Sequence, residues 1–195
     1  MKALIFDTET TGKWDFNAPY TAAHQPNLVQ LAVFLEDVDP GAVQAEASLI
    51  VAQEEGQVIP AGAQAVHGIS TDKANDFGIH LANASFLFRN LVERADVVVA
   101  HNISFDVKIM TRALWLAGVE ELPWSKIPQR CTMLASTPIC KVPSPKGRGF
   151  KWPSLAEAMR YFYGEEIANA HTAKADADAC RLIHRALIQR GAFPR

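Results

Sequence analysis

The chain has 195 residues, of which 49% are hydrophobic and 21% charged, and its formal net charge is −2. This balance is typical of a globular protein and excludes collagen-like, coiled-coil and disordered classes. A chain of this length buries roughly 70% of its unfolded surface, so we predict a single domain over residues 1–195. The three cysteines form no CxxC pair, and the sequence shows no signal peptide or long apolar run. We therefore predict a cytoplasmic protein with no membrane span.

The first part of the chain predicts a meander of three strands. Short apolar segments over residues 2–6, 28–35 and 47–51 have the length and pattern of buried strands. Residues 13–27 contain several Asn, Gln and Pro residues and follow neither a helical nor a strand period. We interpret this segment as a loop inserted between the first two strands.

A helical crossover is predicted after the meander. Short helical turns are expected over residues 60–74, and an apolar stripe predicts a helix over residues 80–95. The segment 96–99 predicts a buried strand, and residues 104–117 predict a helix that ends at Gly118. Because a helix connects strands in this part of the chain, we expect a parallel pair beside the meander.

The last part of the chain combines helices with one long loop. Residues 131–138 have an ambiguous pattern, whereas residues 140–153 concentrate Pro and Gly and predict an extended loop. The capping box at residues 154–157 predicts a helix that ends before Gly164, and a last helix is expected over residues 173–190.

Two carboxylates stand at the end of the first predicted strand. Asp7 and Glu9 are two residues apart, so the pleat of a strand directs both side chains to the same face of the sheet. The turn-like segment Thr10-Thr11-Gly12 follows them and offers free backbone amides. Isolated surface acids are the ordinary explanation of such a pair, but the context favours a site.

A third carboxylate lies on a helix. Asp106 is in the first turn of the helix predicted over residues 104–117, and it shares a stripe with Ile109, Met110 and Ala113. A first-turn acid complements the helix dipole in many proteins. On an apolar stripe, however, a carboxylate needs a partner, because an unpaired buried charge is strongly disfavoured.

The entry of the last helix predicts a fourth carboxylate beside a histidine. With Thr172 as the N-cap, His171 is the N′ residue and Asp176 the N4 residue, two positions that meet across a helix start. Asp176 shares the apolar stripe of this helix, whereas Asp178 shares a stripe with surface arginines. We therefore expect His171 and Asp176 to be neighbours and Asp176 to face inward.

Four inward carboxylates require cations for neutralisation. Oxygen ligands favour Mg²⁺ or Mn²⁺ over Zn²⁺. Two such ions form a clamp for the attack of water on a phosphodiester, and a histidine, which titrates near neutral pH, suits the general base.

Three motifs in this order resemble the DnaQ-like 3′-5′ exonucleases of the DEDDh type, which belong to the RNase H-like superfamily. The segment 7–12 is similar to the first exonuclease motif, and residues 101–106 are similar to the second. His171 and Asp176 resemble the third motif. The resemblance implies an α/β fold in which a mixed sheet of about five strands is flanked by helices.

The resemblance also assigns roles to individual residues. It implies that Asp7, Glu9, Asp106 and Asp176 bind two Mg²⁺ or Mn²⁺ ions and that His171 is the base. It further implies substrate contacts for the backbone around Thr10, for His67 and for Phe105. Family members commonly have an acid at the position of Gln30, which is outside the metal set.

The predicted loop over residues 140–153, hereafter the basic loop, is a candidate nucleic-acid contact. Residues 122–156 contain six bases and no acid. Cations beside aromatic rings on an extended segment suit phosphate contacts and base stacking on a single strand. The alternative is that the two aromatic residues of the loop, Phe150 and Trp152, anchor it to the core. The substrate-binding candidates in this loop are Lys146, Arg148, Lys151 and Trp152.

We therefore expect an exonuclease that releases nucleoside 5′-monophosphates from the 3′ end of DNA, with single strands preferred. The alternatives are an exoribonuclease with the same residues and a proofreading subunit associated with a polymerase. Nucleic acid is the expected partner, and a polymerase or a second copy of the chain are further candidates.

Overall fold

The structure is a computed structural model that describes residues 1–194, and residue 195, the last of the predicted domain, lies outside the described residues. It contains one five-stranded sheet with the strand order β3-β2-β1-β4-β5. The strands are β1 (Lys2–Thr10), β2 (Leu28–Asp37), β3 (Ala42–Ile50), β4 (Val97–Ala100) and β5 (Gln129–Cys131). The expected mixed α/β sheet is therefore confirmed.

The pairing of the strands follows from their connections. The first three strands form an antiparallel meander, and β4 pairs with β1, and β5 with β4, in parallel. A helix joins β4 to β5, as a parallel neighbour requires. The β1–β2 register shifts between Glu9 and Thr10, so that a bulge lies at the end of β1 beside the acidic residues.

Helices cover both faces of this sheet. They are α1 (Ala61–His67), α2 (Thr71–Phe77), α3 (Leu81–Val92), α4 (Ile103–Leu116), α5 (Thr132–Cys140), α6 (Leu155–Tyr163) and α7 (Ala173–Gln189), and a short 3-10 helix covers Trp124–Lys126. Among residues 1–194, each helix is too short or too polar to cross a membrane.

The alternation of side chains along β1 builds two cores. Leu4 and Phe6 pack with residues of α3 and α4 on one face, whereas Ala3 and Ile5 pack with α7 on the other. Odd-numbered residues of β1 therefore face α7. The same alternation carries Asp7 and Glu9 toward the start of α7.

The helix ends match their sequence signals. Ser154 and Glu157 form the predicted capping box of α6, and Gly164 closes that helix in the left-handed region. The Thr172 side chain accepts a hydrogen bond from the Ala175 backbone N–H and caps α7. These local signals fix the point at which α7 begins.

Several predicted boundaries differ from the observed ones. Strand β1 continues to Thr10 and β3 begins at Ala42, so both are longer than their apolar segments. The ambiguous segment 131–138 lies mostly in α5, which contains Pro138, and it follows the three-residue strand β5. Pairing with neighbouring strands, rather than the hydrophobic pattern, sets the ends of β1 and β3.

A buried ion pair connects β2 to α7. Glu36 is completely buried, and its carboxylate accepts hydrogen bonds from Arg185 Nε at 2.8 Å and from Arg181 Nη1 at 3.3 Å. Like Gln30 and Ala32, this residue lies on the α7 face of the sheet. The ion pair therefore helps to hold α7 against the sheet.

Replacing Glu36 with Ala is expected to lower the free energy of unfolding by about 3–5 kcal/mol, because it leaves two guanidinium groups without their buried partner. Urea unfolding of the variant measures this change. Glu46→Ala is the matched control, since it removes the exposed ion pair with Lys174 and should cost less than about 1 kcal/mol. Equal losses in the two variants would contradict the structural role of Glu36.

Candidate active site

Three of the four predicted metal ligands lie together at the end of β1. Oxygen atoms of Asp7, Glu9 and Asp176 all lie within 4.8 Å of one another. The first two come from the α7 face of β1, and the third comes from the first turn of α7. Carboxylates at this spacing form an oxygen-rich site for a divalent cation.

Asp106 reaches the site from the opposite face of the sheet. It lies in the first turn of α4, and its Oδ1 atom accepts hydrogen bonds from Thr8 Oγ1 at 2.7 Å and from the Thr8 backbone N–H at 3.1 Å. Thr8 lies on the α4 face of β1, between Asp7 and Glu9 in the sequence. The Asp106 carboxylate therefore contacts β1 at the residue between those two acids. That difference in face explains why Asp106 adjoins the three clustered carboxylates without belonging to their close group.

Burial raises the pKa of all four acids, and repulsion from neighbouring carboxylates adds to the rise at Asp7 and Glu9. Burial, followed by the charges of Asp106, Asp176 and Glu9, raises the pKa of Asp7 well above its ordinary value. Burial, followed by the charges of Asp176 and Asp106, raises the pKa of Glu9 to about 8. Burial raises the pKa of Asp106 to about 7 against the opposing hydrogen bonds of Thr8. This pattern is expected of a site whose negative charge is balanced by bound cations.

His171 adjoins Asp176, as the helix-entry geometry predicts. Burial raises the pKa of Asp176, and a hydrogen bond from the His171 backbone N–H opposes that rise. His171 itself is exposed and has a φ of 67°, in the left-handed region. The predicted base therefore lies at the rim of the acidic group, open to solvent.

The carboxylates predict how stability depends on pH and metal. Because Glu9 has a pKa of about 8 when folded, the folded chain releases its proton between pH 7 and 8.5, after the unfolded chain has lost its own. Without metal, stability should fall from about pH 4.5 until this release is complete, so that it is still falling between pH 7 and pH 8. The buried histidines, whose pKa values are lowered, have lost their protons by then and do not mask the effect.

Thermal unfolding in EDTA and in Mg²⁺, at pH 7.0 and at pH 8.5, measures this dependence. We expect a lower midpoint at pH 8.5 in EDTA and a larger increase on Mg²⁺ addition at pH 8.5, since binding requires deprotonated carboxylates. An Mg²⁺ effect of the same size at both pH values would count against cation binding by these acids.

Gln30 is a contributor that sequence reasoning left outside the site. It lies opposite Glu9 in the β1–β2 register, and its Oε1 atom accepts a hydrogen bond from the Ala173 backbone N–H at 3.1 Å. This bond satisfies a free amide in the first turn of α7 and fixes the helix that carries Asp176. The alternation of β2, which puts residue 30 on the α7 face, is the signal that points to it.

His101 connects the second motif to the basic loop. Its Nε2 atom lies 3.0 Å from the Pro153 carbonyl oxygen, and its Nδ1 atom lies 3.0 Å from Thr132 Oγ1. Since a carbonyl only accepts, Nε2 carries the proton and Thr132 donates to Nδ1. Burial lowers the pKa of His101 to about 4, which keeps the ring neutral. These two bonds connect the segment before α4 to the start of α5 and to the end of the basic loop.

The substrate-contact candidates near β1 differ in exposure. Thr10 is buried and its hydroxyl donates to the Gly12 carbonyl at 2.7 Å. His67 is also buried, and its Nδ1 atom accepts from the Ile69 N–H, while Nε2 has no well-formed partner among residues 1–194. Phe105 is half-buried against the core. Of the three, only Phe105 has a partly exposed ring.

The basic loop is a short antiparallel arm. A bridge joins Pro143 to Phe150, and the Lys151 N–H donates to the Val142 carbonyl at 3.0 Å. Trp152 is 64% exposed and Phe150 51% exposed, so these rings do not anchor the loop in the core.

The cations of this loop fall into two groups. Lys151 Nζ forms an ion pair with Glu157 at 2.7 Å, so a phosphate would compete with that carboxylate. Lys141, Lys146 and Arg148 are exposed and form no ion pair within the described part of the chain. They are therefore the cations of the basic loop that are available to a phosphate.

Comparison with known proteins gives a family and a fold. The exonuclease family model matches residues 4–183. No curated protein sequence matches the chain. The structure is similar to that of Escherichia coli exonuclease I in complex with a dT13 oligonucleotide, with a TM-score of 0.76 and 17% identity over 97% of this chain and 41% of that chain.

Two further structures give the same result. The zinc-bound complex of E. coli exonuclease I with single-stranded DNA has a TM-score of 0.76 and 19% identity, covering 97% of this chain and 41% of that one. A product-bound exonuclease I has a TM-score of 0.77 and 15% identity, covering 98% and 45%. The chain thus spans less than half the length of these structures.

The family match includes all five residues of the candidate site. Because the model matches residues 4–183, most of the chain, the chain belongs to the exonuclease family, within the DnaQ-like group of the RNase H-like superfamily. The resemblance that the three motifs predict is confirmed.

Proposed function

We propose that the protein is a metal-dependent 3′-5′ exonuclease that removes nucleoside 5′-monophosphates from DNA, preferentially from single strands. The close group formed by Asp7, Glu9 and Asp176 carries this proposal, because it lies in a chain of the exonuclease family and has the ligand chemistry of Mg²⁺ or Mn²⁺.

The four acids fit two divalent cations. Their pKa values are raised and their charges repel one another. Cations at this position would therefore reduce the electrostatic repulsion between the buried carboxylates. When bound, the two ions supply a polarised water and neutralise charge on the phosphate. Asp7, Glu9, Asp106 and Asp176 would hold them.

The remaining steps fall to protein groups. His171, open to solvent beside Asp176, accepts the proton of the attacking water at its imidazole. The backbone around Thr10, the His67 side chain and the Phe105 ring contact the substrate at its 3′ end. Lys146, Arg148 and Trp152 of the basic loop contact the strand farther from the site, and Lys151 joins them when it leaves Glu157.

Product analysis tests the proposal. Matched 5′-labelled single-stranded DNA, duplex DNA and single-stranded RNA are incubated with the protein in Mg²⁺, Mn²⁺ or EDTA. We expect a ladder that shortens from the 3′ end in metal and is absent in EDTA, with single-stranded DNA degraded fastest. Faster loss of RNA would favour the exoribonuclease alternative, and no cleavage of any strand would contradict the proposal.

The cellular setting is also a proposal. We propose that the protein acts in the cytoplasm, either alone or together with a polymerase or a second copy of the chain. Co-purification and the molecular mass in solution distinguish these arrangements.

A further inference from the structure

An exposed aromatic ring lies on the loop between β1 and β2, beside the candidate active site. Residues 13–27, hereafter the aromatic loop, follow directly after the first motif. Phe16 in this loop is 65% exposed, whereas its neighbour Trp14 is only 7% exposed and belongs to the core. Trp14 therefore anchors the loop, and Phe16 is the ring that the loop presents to solvent.

Buried polar side chains fix the aromatic loop. The Gln25 side chain accepts from the Asp15 N–H at 3.0 Å and donates to the Asp15 carbonyl at 2.7 Å. The guanidinium of Arg112, in α4, donates to the carbonyls of Tyr20 and Ala22 at 2.6 and 3.0 Å. A ring on a loop held in this way loses little conformational freedom when a ligand stacks on it.

Lys108 accompanies the exposed ring. Its ammonium group lies 5.7 Å from the centre of the Phe16 ring and 5.8 Å from that of Trp14, within the range of cation–π attraction. Lys108 forms no ion pair with a carboxylate among residues 1–194. The two rings therefore orient a cation whose charge is available to an anion.

This pair continues the candidate active site along α4. Lys108 is three residues after Phe105, so the two side chains are neighbours about 5–6 Å apart at Cβ on one helix face. Asp106 adjoins Phe105 in the same turn. When the 3′ end of a strand lies at Phe105 and the acidic group, the nucleotides next to that end lie beside Lys108 and Phe16.

We propose that Phe16 and Lys108 form a nucleotide-binding subsite on the 5′ side of the scissile phosphodiester. The Phe16 ring stacks on a base, and the Lys108 ammonium binds a backbone phosphate of the same strand. A ring beside a cation is the chemistry with which proteins hold single strands without regard to sequence. This inference rests on the proposed function, since it takes the strand to enter at the acidic group.

Binding as a function of strand length tests the subsite. Fluorescent oligothymidylates of 2, 4, 8 and 12 nucleotides are titrated with the full chain carrying Asp7→Asn, which prevents cleavage, in Mg²⁺. Adding Phe16→Ala should weaken binding of the longer strands by about 5- to 100-fold, as expected for the loss of one stacked base. The dinucleotide should lose much less, because it is too short to span the site and the subsite.

Conservative variants separate stacking from damage to the loop. Phe16→Trp should retain the affinity of the parent chain, whereas Phe16→Leu should bind as weakly as Phe16→Ala. Lys108→Gln should remove about one phosphate contact and should therefore reduce the slope of log Kd against log salt concentration. Lys108→Arg should preserve that slope. Phe86→Ala and Lys126→Gln, at exposed positions elsewhere, are the matched controls.

The outcomes separate this inference from the proposed function. If the wild-type chain cleaves strands from the 3′ end, but Phe16→Ala and Lys108→Gln bind every length as the controls do, the subsite is refuted and the proposed function stands. If the wild-type chain neither cleaves nor binds any strand, the proposed function fails and the subsite fails with it.

Discussion

Asp7→Asn is expected to reduce exonuclease turnover by roughly 10³-fold or more, because the removal of one charged ligand takes away several kcal/mol of cation-based stabilisation of the transition state. Asp7 is the acid that the other three carboxylates all surround, and asparagine keeps its shape without its charge. The rate of nucleotide release from single-stranded DNA in Mg²⁺ measures the effect.

Two acids on one helix provide the matched comparison. Asp176→Asn should be nearly as inactive as Asp7→Asn, whereas Asp178→Asn should keep wild-type turnover, since Asp178 pairs with Arg181 instead of joining the acidic group. An active Asp176→Asn protein, or an inactive Asp178→Asn protein, would argue against this assignment of the ligands.

The same substitution separates activity from folding. The pKa of Asp7 is raised by burial and by three nearby carboxylates, so a neutral side chain relieves repulsion in the protein without metal. We expect Asp7→Asn to unfold in EDTA at pH 8 at a temperature no lower than that of the wild type. A large drop in that temperature would mean that lost activity reports a damaged fold.

His171→Asn is expected to lower turnover by about 10²- to 10⁴-fold, the usual contribution of a general base. Asparagine tolerates the left-handed backbone that His171 adopts, with a φ of 67°, so the substitution removes the imidazole while the entry of α7 keeps its course. Steady-state rates from pH 6 to pH 9 measure the loss and its pH dependence.

The pH profile distinguishes a base from a structural residue. Without the imidazole, hydroxide takes over the removal of the proton, so the deficit of His171→Asn should shrink as the pH rises. A deficit that is constant over the whole range would indicate a positioning role. His80→Asn replaces an exposed histidine at the start of α3 and should leave the rate unchanged.

Local patterns predicted most of the fold. The capping box at Ser154, the N-cap Thr172 and the period of the α4 stripe each depend on contacts within a few residues, and each is confirmed. The short strand β5 and the extension of β1 to Thr10 depend on partners elsewhere in the chain. Such long-range pairing leaves no periodic signal in the sequence.

The sequence predicted which residues form the candidate site better than it predicted how they are arranged. Spacing indicated that Asp7 and Glu9 share a face, and the helix-entry geometry brought His171 to Asp176. The sequence did not show that Asp106 would approach from the other face through Thr8. Nor did it show that Gln30 would bond to the start of α7, because both contacts depend on how the helices dock.

The order in which the site is assembled has a consequence during synthesis. Asp7 and Glu9 leave the ribosome first, Asp106 follows about one hundred residues later, and His171 and Asp176 emerge only with α7. A nascent chain that ends before α7 lacks His171, the proposed base, and Asp176, one of the clustered acids. The close group of three acids is therefore complete only after the helix that also covers one face of the sheet has been made.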